Sequence, residues 1–460
     1  MPVTPNIFEP FAHRGGTLRC GGLGLEELAD LHGTPLFVYS GEGIESRFGA
    51  LRGAFAGLEP EIHFAAKSCG NIEILRLLVG LGAGIDVVSG GELERAWLAG
   101  CPLERVAFAG VGKTEAEIRA ALSGEHSPLR RTALAARAGR GDPAGRGTVG
   151  LINIESVEEY ARVDRLAREM GTPVRVAVRV NPDVDAGTHP YTTTGKRRNK
   201  FGIDLATAEA KYLEWADRAG PTGARPVGLH AHIGSPVYDR EPFVRAAETL
   251  VGATDRLRAA GARVELIDMG GGWPSPYRPD QARDLGAFAA ALEPVLGPEA
   301  GRGTRIHLEP GRSIVANAGV LLTRVQYVKR TAERRFVITD AGMQTLLRPA
   351  LYGAFHAIWP VRGVVGPFDA GAEACCVEPP ADVVGPICET GDFLAQDRPL
   401  PEVKSGDLLA VFSAGAYGMS MSSTYNQHPR PAEVLVERGK ARLIRRRESA
   451  ADLIEHEIFP

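Results

Sequence analysis

A chain of 460 residues exceeds what one ordinary core fills, so two domains are the starting expectation. Its 44% hydrophobic and 24% charged content is that of a soluble globular protein, and a net charge of −3 gives no electrostatic footing for nucleic acid or an anionic membrane. Six scattered cysteines with no C-x-x-C pair argue against a zinc ribbon and a disulfide framework, and no metal site is expected.

The first residues, MPVTPNIFEPF, have neither a basic nor an apolar targeting region, and no run is long enough to span a bilayer. A cytoplasmic protein with a metabolite-sized partner is therefore expected. After PLFVYS (35–40), short apolar runs alternate with stretches of helical period. The runs are EIHFAAK, GIDVVS, RVAFAG, GLINIES, VRVAVRVNP, PVGLHAHIGS, RVELIDMGGG and TRIHLEPGR, all within residues 61–312. Eight strands, most followed by a helix, predict a (β/α)8 TIM-type barrel over 41–312. Beyond it, VLLTRVQYVKR, RFVITDAG, EACCVEP, DLLAVFSAG and AEVLVERGKARLI alternate between Gly/Pro turns and predict antiparallel β. Residues 1–40 and 313–460 are expected to form this second, β-rich domain. One stretch, 123–150, breaks the rhythm: five arginines, one aspartate and no aromatic fall between 127 and 149. Without a stacking residue it reads as a surface loop between helix and strand rather than a nucleic-acid arm.

Barrel enzymes place their chemistry at the C-terminal ends of the strands. Those ends carry Lys67 (FAAKSCGN), Asp86, His230 and His232, Gly270-Gly271-Gly272, and Glu309-Pro310-Gly311-Arg312. An ammonium after an apolar run is costly unless it is paired or chemically used, although a lysine snorkelling from a strand end is the plainer reading of the octapeptide alone. Bare glycine amides can approach a phosphate closely, yet glycine triplets also occur in plain turns. His230 and His232, two apart on a strand, face one way; a metal pair would need a third ligand, which no spacing suggests. Buried, hydrogen-bonded histidines are the usual reading of such a pair; a third is that one imidazole packs flat against an aromatic ligand, with Ser235 near an anion. An amine, a phosphate cradle, a carboxylate and a flat surface together match pyridoxal phosphate: Lys67 for the Schiff base, Glu309 facing the ring nitrogen. In the β region, CETGD (388–392) sets a thiol beside two carboxylates, and AGAYGMSMSSTYN surrounds Tyr417. Arg348 and Tyr352, four apart, share a face if helical, a good carboxylate holder. A lone Cys388 is more often a buried structural thiol, but the Glu-x-x-Asp beside it is an odd companion for one.

The sequence resembles the diaminopimelate decarboxylase family of fold-type III pyridoxal-phosphate enzymes, whose fold is like that of alanine racemase and ornithine decarboxylase. The matching stretches are FAAKSCGN, GAGIDVVSGGEL, HPYTTTGKRRNKFGID, HAHIGSP, DMGGGWP, LEPGRSIVANAG, DAGMQTLLRPALYGAFHAI, CETGDFLAQDRPLP and AGAYGMSMSSTYN, in order along nearly the whole chain. The resemblance implies that Lys67 carries the cofactor, His232 stacks on its ring and Glu309 faces the pyridinium nitrogen, with Asp86 also in the cofactor site. Gly270, Gly271, Gly272, Gly311, Arg312, Ser235 and Tyr417 would hold the phosphate. Arg312, Arg348 and Tyr352, with Tyr417 nearby, would grip the distal carboxylate of meso-diaminopimelate, Glu389 its distal amine, and Cys388 would deliver a proton after carbon dioxide leaves. It also implies a homodimer in which the CETGD segment reaches the partner's site. A sister decarboxylase acting on ornithine or lysine is the nearest alternative; a racemase and a non-catalytic cofactor carrier fit the residue set less well. The insertion at 123–150 and the basic run Lys196-Arg197-Arg198 depart from what the family leads one to expect.

Overall fold

Two glycine pairs shape the start of the chain. Strands β1 (Phe11–Arg14), β2 (Thr17–Cys20) and β3 (Leu23–Gly24) form a small antiparallel sheet. The β1–β2 register pairs Arg14 with Thr17 across Gly15 and Gly16, whose φ of +61° and +80° is what a tight two-residue hairpin demands. In a computed structural model, the structure describes residues 7–124, 147–187 and 200–458; the arginine-rich run from 125 to 146 and Lys196-Arg197-Arg198 lie outside the described residues. The chain divides into two units. One comprises Phe48–Pro274 and Asp284–Gly311; the other comprises Met1–Arg47, Ser275–Arg283 and Arg312–Pro460.

The first unit is the barrel. Strand β4 (Leu36–Ser40) belongs to the second unit; then β5 (Glu61–Ala65), β6 (Gly84–Val87), β7 (Val106–Phe108), β8 (Leu151–Ile154), β9 (Pro173–Asn181), β11 (Gly223–His230), β12 (Leu266–Asp268) and β13 (Arg305–Leu308) pair in parallel. The ring closes where β13 pairs with β5. A two-residue strand, β10 (Ile203–Asp204), lies outside it against β9. The outer helices begin where the sequence supplies oxygen acceptors for their first amides: Asn71, Ser89, Ser156, Asp204 and Asp284 each cap one, and Thr114 with Glu117 forms a full capping box. Ala107, Leu151, Ala177, Val227 and Leu266, from five strands, make one cluster of the barrel core.

In the second unit, β14 (Gly319–Arg330) pairs antiparallel with β4, with β15 (Arg335–Thr339) and with β19 (Leu408–Val411). Strand β16 (Ile358–Pro360) extends β19. Two pairings are parallel, β15 with β17 (Ala381–Val384) and β4 with β20 (Ala432–Glu437), so the sheet is mixed where alternation alone predicts antiparallel. β18 (Phe393–Arg398) and β21 (Lys440–Arg445) flank it. The stretch EACCVEP is no strand: Glu373–Cys375 is a single 3-10 turn, with Cys376 packed against the unit's hydrophobic core. Among the described residues no helix is long and apolar enough to cross a membrane.

Candidate active site

At the C-terminal mouth of the barrel the strands end in polar residues. β5 stops at Ala65, and the 3-10 turn Ala66–Ser68 swings Lys67 out, with the Ser68 hydroxyl donating to the Ala65 carbonyl at 2.8 Å. Lys67 Nζ lies 2.7 Å from Oδ2 of Asp86, a residue with no exposed surface on β6. Burial raises the Asp86 pKa and the negative Glu309 adds to this, with Lys67 pulling the other way.

Glu309 follows β13. Its carboxylate accepts from Asn153 Nδ2 at 3.0 Å and lies 3.3 Å from His230 Nε2. Burial works to raise its pKa, but His230 and Lys67 outweigh that and hold it well below the usual carboxylate range. Asp268, at the end of β12, goes the other way: burial and then the charge of Glu309 push its pKa well up. Of the two neighbouring carboxyls, Asp268 is therefore the one whose surroundings favour the protonated form. His230, Asp268 and Glu309 offer ligand atoms within 4.8 Å of one another, a group that leaves out His232 and so does not complete the His230/His232 pair. β11 ends at His230. His232, just beyond, accepts the Gly271 amide at Nδ1, 3.1 Å away; burial, then the charges of Arg179 and Lys67, depress its pKa well below the ordinary value and leave it neutral.

The glycines of DMGGGW are there for want of space. A Cβ on Gly271 would sit 2.4 Å from the Glu309 carbonyl oxygen, and one on Gly272 2.2 Å from that of Gly234. Gly270 and Gly272 also have φ of +63° and +97°. Trp273, stacked on Phe243 at 4.4 Å, anchors the end of this turn. The half-buried Ser235 sits in the neighbouring segment, which the Val237 amide ties to the Gly272 carbonyl. Gly311 lets the EPG turn lie against the lysine turn: its Cβ would meet Ser68 and Ala65 at about 3 Å, and the Ala65 amide donates to Pro310. Three residues the sequence did not single out complete the mouth. Asn153 reaches Glu309, and Arg179 pairs with Glu155 at 2.5 Å, both buried.

Barrels ordinarily fill this space with branched aliphatic side chains. Here Asp86 Oδ1, Asn153 Oδ1, Arg179 Nη2 and His230 Nδ1 are buried with no hydrogen-bond partner among the described residues. Unsatisfied groups of this kind are costly, and a polar ligand offsets the cost. An amine, an anionic carboxylate, a neutral imidazole and closely approachable amides fit pyridoxal phosphate.

The second unit gathers a different set. Arg312 and Arg348 are both buried, and Arg348 and Tyr352 share the short helix Arg348–Tyr352, as their spacing predicts. Arg312 Nη1 donates to the Tyr277 hydroxyl at 2.8 Å, and its guanidinium lies 4.7 Å over the Tyr417 ring. Tyr417 has a left-handed backbone, φ +57°. Cys388 is exposed, so the buried structural thiol does not describe it. In the same CETGD turn Asp392 is the buried member: it accepts the amides of Met343 and Ile387, each at 2.6 Å, while exposed Glu389 hydrogen-bonds Tyr425.

A family model described as the pyridoxal-binding domain of pyridoxal-dependent decarboxylases matches residues 42–316. Diaminopimelate decarboxylase of Pseudomonas aeruginosa is 44% identical, covering 97% of this chain and 98% of its own; that of Aquifex aeolicus is 42% identical, covering 96% of each. The chain belongs to the diaminopimelate decarboxylase family. Among solved structures, diaminopimelate decarboxylase from m. jannaschii in co-complex with L-lysine superposes with a TM-score of 0.84 at 33% identity, covering 99% of both chains. Lysine/ornithine decarboxylase from Vibrio vulnificus, at 21% identity and a TM-score of 0.69, shares the fold. As a member of this decarboxylase family the chain is a carboxy-lyase that uses pyridoxal phosphate.

Proposed function

We propose that this protein decarboxylates meso-2,6-diaminopimelate to L-lysine and carbon dioxide, the last step of lysine biosynthesis. The observation that carries the reading is the match, over nearly full length, to several diaminopimelate decarboxylases. The polar barrel mouth supports it independently. Lys67 supplies the amine that holds the cofactor aldehyde, and Asp86 holds that lysine in place. Glu309, kept anionic, would favour a proton on the ring nitrogen of the bound cofactor; His232, kept neutral, would offer its flat face to the ring. Gly270 to Gly272, Gly311 and Ser235, with Arg312 and Tyr417, serve the phosphate. When bound, pyridoxal phosphate supplies an electron sink for the pair left by the departing carboxylate.

Arg312, Arg348 and Tyr352 hold the far carboxylate of the substrate, Glu389 the far amine, and Cys388 returns a proton to the α-carbon. This far end is what separates the reading from a decarboxylase of ornithine, which has no second α-carboxylate. The exposed thiol and carboxylate of the CETGD turn support a homodimer in which that turn serves the partner's site. A small polar substrate also suits a cytoplasmic enzyme, and the net charge of −3 favours no nucleic-acid partner. The test is carbon dioxide release and lysine formation from meso-diaminopimelate and from ornithine, with the visible absorbance of the purified protein followed alongside. Turnover of the first substrate alone is expected. A coloured protein silent with diaminopimelate but active with ornithine moves the reading to the sister activity, and a colourless one after incubation with cofactor removes it.

A further inference from the structure

Arg348 is aimed by a histidine that motif reading passes over. Its Nη1 lies 2.7 Å from Nε2 of His356, and Nδ1 of that ring lies 2.8 Å from the Phe412 carbonyl oxygen. A carbonyl only accepts, so Nδ1 carries the proton; a guanidinium only donates, so Nε2 presents its bare lone pair. The two bonds therefore fix both the tautomer and the neutral state. His356 has no exposed surface, and Arg398 Nη1 donates to its backbone carbonyl at 2.6 Å. The charged groups facing the ring are Arg348, Arg312 and Arg398; after burial itself, they work against a proton on Nε2. Tyr277 completes the frame. Its ring stands edge-on to His356 at 5.3 Å and under the Arg348 guanidinium at 4.8 Å, while its hydroxyl accepts from Arg312. Burial would raise the Tyr277 pKa, but the two arginines outweigh it and bring it down.

We propose that His356 is a positioning residue that, with Tyr277, holds Arg348 and Arg312 as a preformed fork for the carboxylate at the far end of the substrate. The inference rests on the reading of those arginines given above. It explains why two buried guanidinium groups tolerate each other: each has at least one N–H committed to a neutral or polarised acceptor, and the ordering cost is met on folding rather than on binding. The same far carboxylate is present in substrate, transition state and L-lysine. Loss of the fork therefore weakens all three alike, which raises KM with kcat little changed.

The experiment compares His356→Leu, His356→Gln and Tyr277→Phe as holoenzymes, by steady-state kinetics with meso-diaminopimelate and by calorimetric binding of L-lysine. His356→Leu is expected to raise KM and the L-lysine Kd together by roughly tenfold, with kcat within about threefold of the parent. His356→Gln, which restores an accepting oxygen near Nε2, is expected to recover most of that loss. Tyr277→Phe keeps the ring and removes one oxygen, and should raise KM in the same sense. KM and Kd unchanged in His356→Leu, or kcat falling as much as KM rises with no recovery in His356→Gln, would overturn the positioning role. If His356→Leu does not fold, an unchanged KM in Tyr277→Phe overturns it instead. A parent enzyme that neither binds L-lysine nor turns over diaminopimelate removes the substrate reading itself, a distinct result.

Discussion

Lys67 and Asp86 stabilise each other only as a pair, because Asp86 is wholly buried and its pKa is raised even with the ammonium 2.7 Å away. Removing the amine leaves an unpaired buried carboxylate. Lys67→Ala is therefore expected to lose cofactor colour and turnover, and also to change the pH dependence of stability. A carboxyl whose folded pKa is raised contributes stability that is complete below its unfolded pKa, about 4, and is lost as pH rises through the folded value. Thermal melts of the variant should match the parent most closely in acid and fall behind it toward neutrality; a constant offset at every pH would contradict this. Asp268 gives the opposite mutation. Burial and the charge of Glu309 favour its protonated form, and its Oδ1 accepts the Gly270 amide at 2.8 Å. Asparagine reproduces that protonated form, with an oxygen for the amide and an N–H for Glu309. Asp268→Asn is expected to melt at or above the parent at pH near 7, with the advantage vanishing below about pH 4, where the aspartic acid is protonated in both states.

At the scale of elements, the glycine turn after β12 is the tightest part of the mouth. Gly271→Ala would put a methyl 2.4 Å from the Glu309 backbone oxygen, where no flexible side chain can yield. A loss of about 1–3 kcal/mol in denaturant unfolding is expected, with weakened cofactor retention, since the turn bearing Glu309 must move. The sequence shows this turn, and it shows the eight barrel strands, because strands buried on both faces read as unbroken apolar runs. It does not show β17 and β18, whose ADVV and FLAQDR carry polar residues in a short span, and it promotes EACCVEP to a strand on β-branched and cysteine content alone. The polar side chains it leaves unread share one property. Asn153 meets Glu309 across 156 positions, and His356 meets Phe412 across 56, so their roles exist only once the chain has folded. Asp268, two residues before the glycines, was within reach of sequence reading as a carboxylate closing an apolar strand.

The scale of the whole molecule decides whether a folded chain is a complete enzyme. Lys67 belongs to the barrel unit, whereas Cys388 and Glu389 stand exposed on a turn of the β unit that Asp392 ties down by accepting two backbone amides. A preorganised, exposed thiol beside a carboxylate is poorly explained as mere surface, and we read it as serving a site on a second copy of the chain. The idea has a sharp arithmetic. Lys67→Ala and Cys388→Ala should each be inactive alone. If each site takes its lysine from one subunit and its thiol from the other, a hybrid dimer of the two variants holds one doubly altered site and one intact site. Random reassociation makes half the dimers hybrids, so the mixture should recover about a quarter of the parent activity. If both residues of a site come from one chain, every site in the hybrid keeps one lesion and the mixture stays at the level of the separate variants. Activity after mixing, measured against dissociated and re-formed parent enzyme, distinguishes the two arrangements.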